Sequence, residues 1–176
     1  MKMKKLITLV ALAVALTGSA ANVTWNIGSI KAPGTDGSFG SGTAYDAGYS
    51  VEVIMSFYTD SNGAKGAEIS GFTGGTSSTT WGNGGVVKGT TAGYNFDTTD
   101  YWAAGTILLT KGDEKWKLDV DAFKFTNTKA TGNYSIATAL QSAIADVGSY
   151  TAVPEPTSAM LLAFGLIGLG LKRKRV

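Results

Sequence analysis

The sequence predicts a mainly β body, an antiparallel β-sandwich or roll with one amphipathic helix, set between two apolar terminal segments. Glycine accounts for 24 of the 176 residues, which is about twice its usual share and favours turns and short strands over long helices. Several stretches alternate apolar and polar residues, as strands with one buried face do. Both apolar ends are flanked by basic residues, which is typical of segments that meet a membrane.

Residues 1–21 have the three parts of a secretory signal peptide. Three lysines lie within the first five residues, an uncharged apolar run extends from Leu6 to Leu16, and small residues follow as far as Ala21. The run is shorter than the ~20 residues that a membrane span needs. A signal helix that is removed on export is therefore expected, and the body begins at residue 22.

The body, residues 22–152, is expected to contain about seven strands. The clearest candidates are Val23–Ile27, Tyr49–Tyr58, Ala67–Thr73, Tyr101–Thr110 and Lys115–Phe125. Residues 59–63 predict the turn of a hairpin. In the last strand the apolar pattern changes phase before Phe123, which predicts either a β-bulge or an end to the regular strand pairing. Gly-rich residues 33–42, 71–80 and 82–93 are expected to be connectors.

One segment has the period of a helix and not of a strand. Its apolar residues recur every three or four positions and so share one helix face. They are Ile136, Leu140, Ile144 and Val147. Ser135 is the candidate N-cap and Gly148 the candidate C-cap. The segment predicts one amphipathic helix packed on the sheet.

Composition excludes several classes of function. The chain has no cysteine and no histidine, so it has no catalytic thiolate, no Ser-His-Asp triad and no zinc site of the usual kind. The body carries eight basic and twelve acidic residues; a nucleic-acid-binding surface, which needs a basic face, is therefore not expected. No cofactor is predicted.

Two sets of body residues are candidates for binding. Asp119 and Asp121 lie on one face of a predicted strand, where they form either a carboxylate pair or calcium ligand set, or simply a solvated face. Trp81 and Trp102 are candidates for stacking on sugar rings; the alternative is that they pack in the core.

The C-terminal residues 153–176 have three parts. Pro154, Glu155 and Pro156 form a short strip that the two prolines hold extended. An uncharged apolar run of thirteen residues, Ala159–Leu171, follows. Counted from Val153, the segment is about as long as the ~30 Å hydrocarbon core. The basic residues that end the chain, a membrane stop expected to remain cytoplasmic, are Lys172, Arg173, Lys174 and Arg175.

This tripartite tail resembles the PEP-CTERM protein-sorting signal of bacteria, and Pro154, Glu155 and Pro156 match its signature residue by residue. The resemblance implies recognition by an exosortase, a membrane-embedded cysteine transpeptidase that removes the tail during export. It also implies a transient anchor in the cytoplasmic membrane, followed by release to the cell surface or to an exopolysaccharide-rich matrix. The resemblance covers the tail alone, and the body matches no known family.

Taken together, the sequence predicts an exported surface or biofilm-matrix protein with a non-catalytic structural or adhesive body. The alternative is a carbohydrate-binding module that recognises exopolysaccharide through exposed rings. A glycoside hydrolase with two carboxylates needs neither histidine nor cysteine and stays a third hypothesis.

Overall fold

The computed structural model describes residues 21–28, 30–69, 81–91, 94 and 96–154. The described part of the chain contains ten strands and one helix. The strands are β1 (Ala21–Ile27), β2 (Lys31–Pro33), β3 (Phe39–Thr43), β4 (Ser50–Ser61), β5 (Ala64–Glu68), β6 (Val87–Thr90), β7 (Asp100–Lys111), β8 (Glu114–Thr126), β9 (Gly132–Ser135) and β10 (Thr151–Ala152). The helix, α1, is Ala137–Val147.

The larger sheet has five strands in the order β10-β8-β7-β4-β5, and every neighbouring pair is antiparallel. The alternation that predicted its long strands is visible in their burial. On β4, the residues Val51, Val53, Met55 and Phe57 are buried, while the residues between them face outward. The sheet therefore has one inner face toward the core and one outer face toward solvent.

The smaller sheet has three strands in the order β6-β1-β9. β1 is antiparallel to β6 but parallel to β9, with Ala21 opposite Gly132. The prediction of a purely antiparallel body is therefore wrong for this pair. Parallel neighbours need a long crossover connection, and most of the body separates β1 from β9.

A third sheet in the described residues is a hairpin in which β2 pairs with β3 in antiparallel fashion. The larger sheet, the smaller sheet and the helix share one hydrophobic core. Trp25 of β1, Phe57 of β4, Leu118 of β8 and Leu140 of α1 are all at most 2 % exposed and belong to one cluster. The mainly β class with one short helix is confirmed, while the sandwich or roll stays a prediction. The predicted signal helix and C-terminal membrane helix fall on residues outside the described ranges. Among the described residues, no helix is long and apolar enough to cross a membrane.

Several local predictions are confirmed. β4 and β5 form a hairpin whose turn residues, Asn62 and Gly63, both have a positive φ, as the Asn-Gly pair of a tight hairpin turn requires. The register between β7 and β8 shifts between Ala103 and Gly105, where β8 has one extra residue, so the predicted bulge is present. Gly148 ends α1 in the left-handed conformation, with φ 74°.

Other boundaries differ from the prediction. The helix cap is Ile136 rather than Ser135, although the Ser135 hydroxyl still accepts a 3.4 Å hydrogen bond from the Ala137 amide. Two of the predicted connectors contain strands, β3 and β6. The strand expected at residues 67–73 begins earlier, as β5, and residues 70–73 lie outside the described part.

A glycine explains why β6 was not predicted. Gly89 lies opposite Trp25 in the β1–β6 pair, and a Cβ on Gly89 would lie 2.0 Å from Trp25 Cζ2. The indole ring therefore lies directly over the glycine Cα. Glycine, which indicates a connector in sequence, is here the residue that lets a buried tryptophan cross a neighbouring strand.

We expect Gly89→Ala to lower the free energy of unfolding by about 1–3 kcal/mol, because the added methyl group overpacks the Trp25 site. Urea unfolding followed by tryptophan fluorescence measures the change. Gly42→Ala is the matched control, because a Cβ at this strand glycine meets no heavy atom within 4 Å. Equal stability of the two variants would contradict the proposed packing.

Candidate functional site at the Val153 sheet edge

The folded body holds the described chain by backbone hydrogen bonds as far as Val153. Thr151 and Ala152 of β10 pair with Lys117 and Trp116 of β8, and the Val153 amide donates a 2.9 Å hydrogen bond to the Lys115 carbonyl. The next residue, Pro154, is exposed. Among the described residues, the Val153 amide therefore makes the last hydrogen bond between the chain and β8.

Tyr150, the residue before β10, holds β10 in place through contacts with Lys31, Gly37 and Phe39. The Tyr150 ring is buried, its hydroxyl donates a 2.6 Å hydrogen bond to the Lys31 carbonyl, and its amide donates to the Gly37 carbonyl at 2.7 Å. Its ring also meets Phe39 edge to face at 5.2 Å. Burial raises the pKa of Tyr150. β10 is thus fastened both to β8 and to the β2–β3 hairpin.

The Glu114 carboxylate links β8 to the residue before β4, near the sheet edge at Val153. Glu114 Oε1 accepts hydrogen bonds from the Tyr49 hydroxyl at 2.8 Å and from Trp116 Nε1 at 2.5 Å. The hydrogen bond from Trp116, and then that from Tyr49, lower the pKa of Glu114. Burial and the neighbouring carboxylate raise the pKa of Tyr49 to about 12. The pairing of Glu114 with Tyr49 has no local sequence signature, because 65 residues separate the two in the chain.

The two candidate glycan-stacking residues are not close together. Trp81 lies at the end of the sheet that contains Val153, where its Nε1 donates a 2.7 Å hydrogen bond to the Tyr49 carbonyl. Trp102 lies opposite Tyr58, near the other end of β4. Tyr49 and Tyr58 are separated by about 30 Å of extended chain. The two rings therefore do not form one stacking platform.

Trp102 does lie on the outer face of the larger sheet. Its chain neighbours, Tyr101 and Ala103, are buried on the inner face, and its cross-strand neighbours are Tyr58 and Lys124. Trp102 itself is half-buried. Lys65 Nζ lies 3.7 Å from the centroid of the Tyr58 ring. The Tyr58 ring on this face therefore makes a cation–π contact with a lysine of the body.

Three carboxylates of the outer face, those of Asp60, Asp100 and Asp119, are in ion pairs with lysines. Lys124 Nζ lies 2.7 Å from Asp60 and 2.9 Å from Asp100. Asp119 pairs with Lys117 at 2.6 Å and accepts a 2.9 Å hydrogen bond from the Thr106 hydroxyl. No group of three or more acidic residues in the described ranges is arranged to hold a metal ion.

The structure describes only the first residues of the tail. Pro154 is the last described residue. Glu155, Pro156 and the basic cluster Lys172, Arg173, Lys174 and Arg175 lie outside the described residues, and their proposed roles stay predictions.

We expect the Glu114 carboxylate to make stability depend on acid pH. Because its folded-state pKa is lowered, its contribution is complete above about pH 5 and is lost as the pH falls through the folded value. Glu114→Gln should therefore lower Tm by about 2–4 °C at pH 7, and the deficit should shrink by pH 3. Thermal melts across this range measure it.

Glu52→Gln, which changes a carboxylate on the outer face of the same sheet, is the control for general charge effects. A Glu114→Gln deficit that stays constant from pH 7 to pH 3 would argue against a role for the ionised carboxylate.

The comparisons with known proteins concern the tail. Residues 152–175 match the PEP-CTERM protein-sorting motif, and the match begins at the last residue of β10. No curated protein and no solved structure matches the chain. The motif implies export and processing by an exosortase at a membrane. The chain therefore carries a PEP-CTERM protein-sorting motif, which directly follows a body that matches no family.

Proposed function

We propose that the chain is a structural or adhesive protein of the cell surface or extracellular matrix, delivered there by exosortase processing and without catalytic activity in its body. The observation that carries this proposal is the position of the sorting motif. It begins at Ala152, one residue before the last hydrogen bond that the described chain makes to the sheet.

This position suits removal of the tail without damage to the body. Each described residue of the core cluster precedes Val153 in the chain. A cut after Pro154 leaves β10, the hydrogen bond of the Val153 amide and the Tyr150 contacts in place. A transpeptidase that cuts there therefore releases a body that stays folded.

The delivery route follows from the two ends of the sequence. A signal peptide at residues 1–21 starts export, and the apolar run and basic cluster hold the unprocessed chain in the cytoplasmic membrane with residues 172–175 inside. The body, residues 22–152, then lies on the outer side of that membrane. Cleavage at the strip converts the anchored form into the surface or matrix form.

A structural role for the body is supported by how its aromatic residues are used. Phe96 contacts the rings of Phe57, Tyr94 and Tyr101 with centroid distances of 4.7–5.8 Å. Such edge-to-face contacts stabilise a core beyond the burial of area alone. Much of the aromatic content therefore serves packing.

The second candidate function is binding of exopolysaccharide, and Trp102 is the observation that favours it. It lies beside Tyr58 on the outer sheet face, two residues along β7 from Asp100, whose carboxylate shares Lys124 with Asp60. Aromatic side chains with a few polar groups beside them are the usual lining of small-molecule sites. Trp81 supports this function less, because its indole N–H is already bonded within the body.

Replacing Pro154 and Pro156 with alanine tests the sorting function. We expect unprocessed chain to accumulate in the membrane fraction, because alanine favours helix and allows the extended strip to change its geometry. The apolar run and basic cluster are unchanged, so membrane insertion should persist. Immunoblots of the membrane and extracellular fractions of the native host measure the product.

Pro33→Ala is the matched control, because Pro33 is the one other proline of the chain and lies in β2 of the body. It should be processed like the wild type. Normal trimming and release of the Pro154→Ala, Pro156→Ala variant would mean that the strip is not the recognised element.

Cosedimentation with exopolysaccharide purified from the host separates the two candidate functions. Glycan binding predicts that Trp102→Leu reduces the bound fraction several-fold while Trp81→Leu changes it little. A wild-type protein that does not sediment with the polymer leaves the structural role and contradicts the second candidate.

A further inference from the structure

The end of the larger sheet that contains Val153 has an amphipathic surface. We call it the exit end; it consists of Val153, the β7–β8 turn and residues 44–49 before β4, with Trp81 packed on them. Tyr45 is the one large hydrophobic side chain in the described residues that is exposed, at 46 %. Its ring meets Trp81 edge to face at 5.9 Å. Two exposed lysines, Lys111 and Lys115, flank the exit.

The exit end is also tied by a short length of chain to the apolar run of the tail. Five residues separate Val153 from Ala159, where the uncharged run begins. Fully extended, this connection spans at most about 20 Å. Because the Val153 amide is bonded to β8, the connection cannot lengthen without breaking the sheet edge. The sheet edge at Val153 therefore stays within about 20 Å of the point at which the run begins.

The side chains at the exit end suit a lipid headgroup interface. Tyrosine and tryptophan are enriched at membrane interfaces, since their rings are apolar and their tips are polar. Lysine reaches headgroups through its long aliphatic stem. Lys111 and Lys115 are balanced in formal charge by Asp113 and Glu114, so the rings and the tether, rather than net charge, would hold such a contact.

We propose that, until the tail is removed, the exit end of the body lies against the phospholipid headgroups of the outer face of the cytoplasmic membrane. Tyr45 and Trp81 enter the interfacial layer, and Lys111 and Lys115 extend along it. The opposite end of the sheet, with Thr98 and the β4–β5 turn, points away from the bilayer. This inference rests on the proposed function, because the tail must be in the membrane for the tether to act.

The short tether makes a weak surface contact effective. A contact between two tethered partners is intramolecular, so its effective concentration is far above that of free protein. When the strip is cut, this advantage disappears and the body leaves the membrane. The same surface thus holds the body beside a membrane-embedded enzyme before cleavage and lets it go afterwards.

Because the chain has no cysteine, a single introduced cysteine reports on one position. Asp113→Cys places a fluorophore at the exposed β7–β8 turn, and Thr98→Cys places it at an exposed position near the start of β7. β7 separates the two positions by about 40 Å. Each full-length chain is reconstituted in vesicles of phosphatidylethanolamine and phosphatidylglycerol with a quencher on the lipid headgroup. We expect several-fold stronger quenching at position 113 than at position 98.

Flotation of the same vesicles separates failure of this inference from failure of the proposed function. A chain that does not float with the vesicles contradicts the membrane anchor and the inference together. A chain that floats but is quenched equally at both positions, or more at 98, overturns the orientation and leaves the sorting function standing.

A second variant tests the aromatic contact. Tyr45→Ser in the Asp113→Cys chain should reduce the quenching at position 113, with unchanged flotation and an unchanged melt. Tyr58→Ser, which alters a tyrosine near the far end of the sheet, should leave the quenching as it was. Quenching that is the same in all three chains overturns the role of Tyr45.

Discussion

The antiparallel pairing of β4, β7 and β8 determines where the other parts of the body lie. Inward side chains of these strands, among them Phe57, Leu109 and Leu118, are buried in the same cluster as Trp25 of the smaller sheet. Burial of a side chain of this size contributes about 1.5–3 kcal/mol. A slip of one residue would turn the whole inner set toward solvent, so the register is strongly specified. The fixed register in turn gives the larger sheet two distinct ends, one of which holds Val153.

The sorting motif begins at that end because β8 has an edge on which β10 pairs. Thr151–Val153 bonds to this edge, and Tyr150 fixes the approach by its bonds to Lys31 and Gly37. Among the described residues, the Val153 amide makes the last hydrogen bond to β8. The motif, which starts at Ala152, therefore begins where the described part of the sheet ends, and it implies recognition by an exosortase at a membrane.

Part of this architecture is visible in the sequence. The start of β4 alternates apolar and polar residues cleanly, and the Asn62-Gly63 turn and the bulge in β8 have local signatures. The sorting strip is also local, so its residues identify it. β6 could not be predicted, because Gly89 looks like a connector until Trp25 is placed over it. The contact of Glu114 with Tyr49 joins residues far apart in the chain, and only the sheet register brings them together.

Removal of the chain beyond the strip during export leaves a body whose last described sheet contact is at Val153. The intact mass of the protein released by the native host tests this removal. We expect a mature chain that keeps β10 and Val153 and lacks the apolar run from Ala159 and the basic cluster that ends at Arg175. Released protein whose mass includes residues 159–176 would contradict it, and so would a chain cut before Thr151.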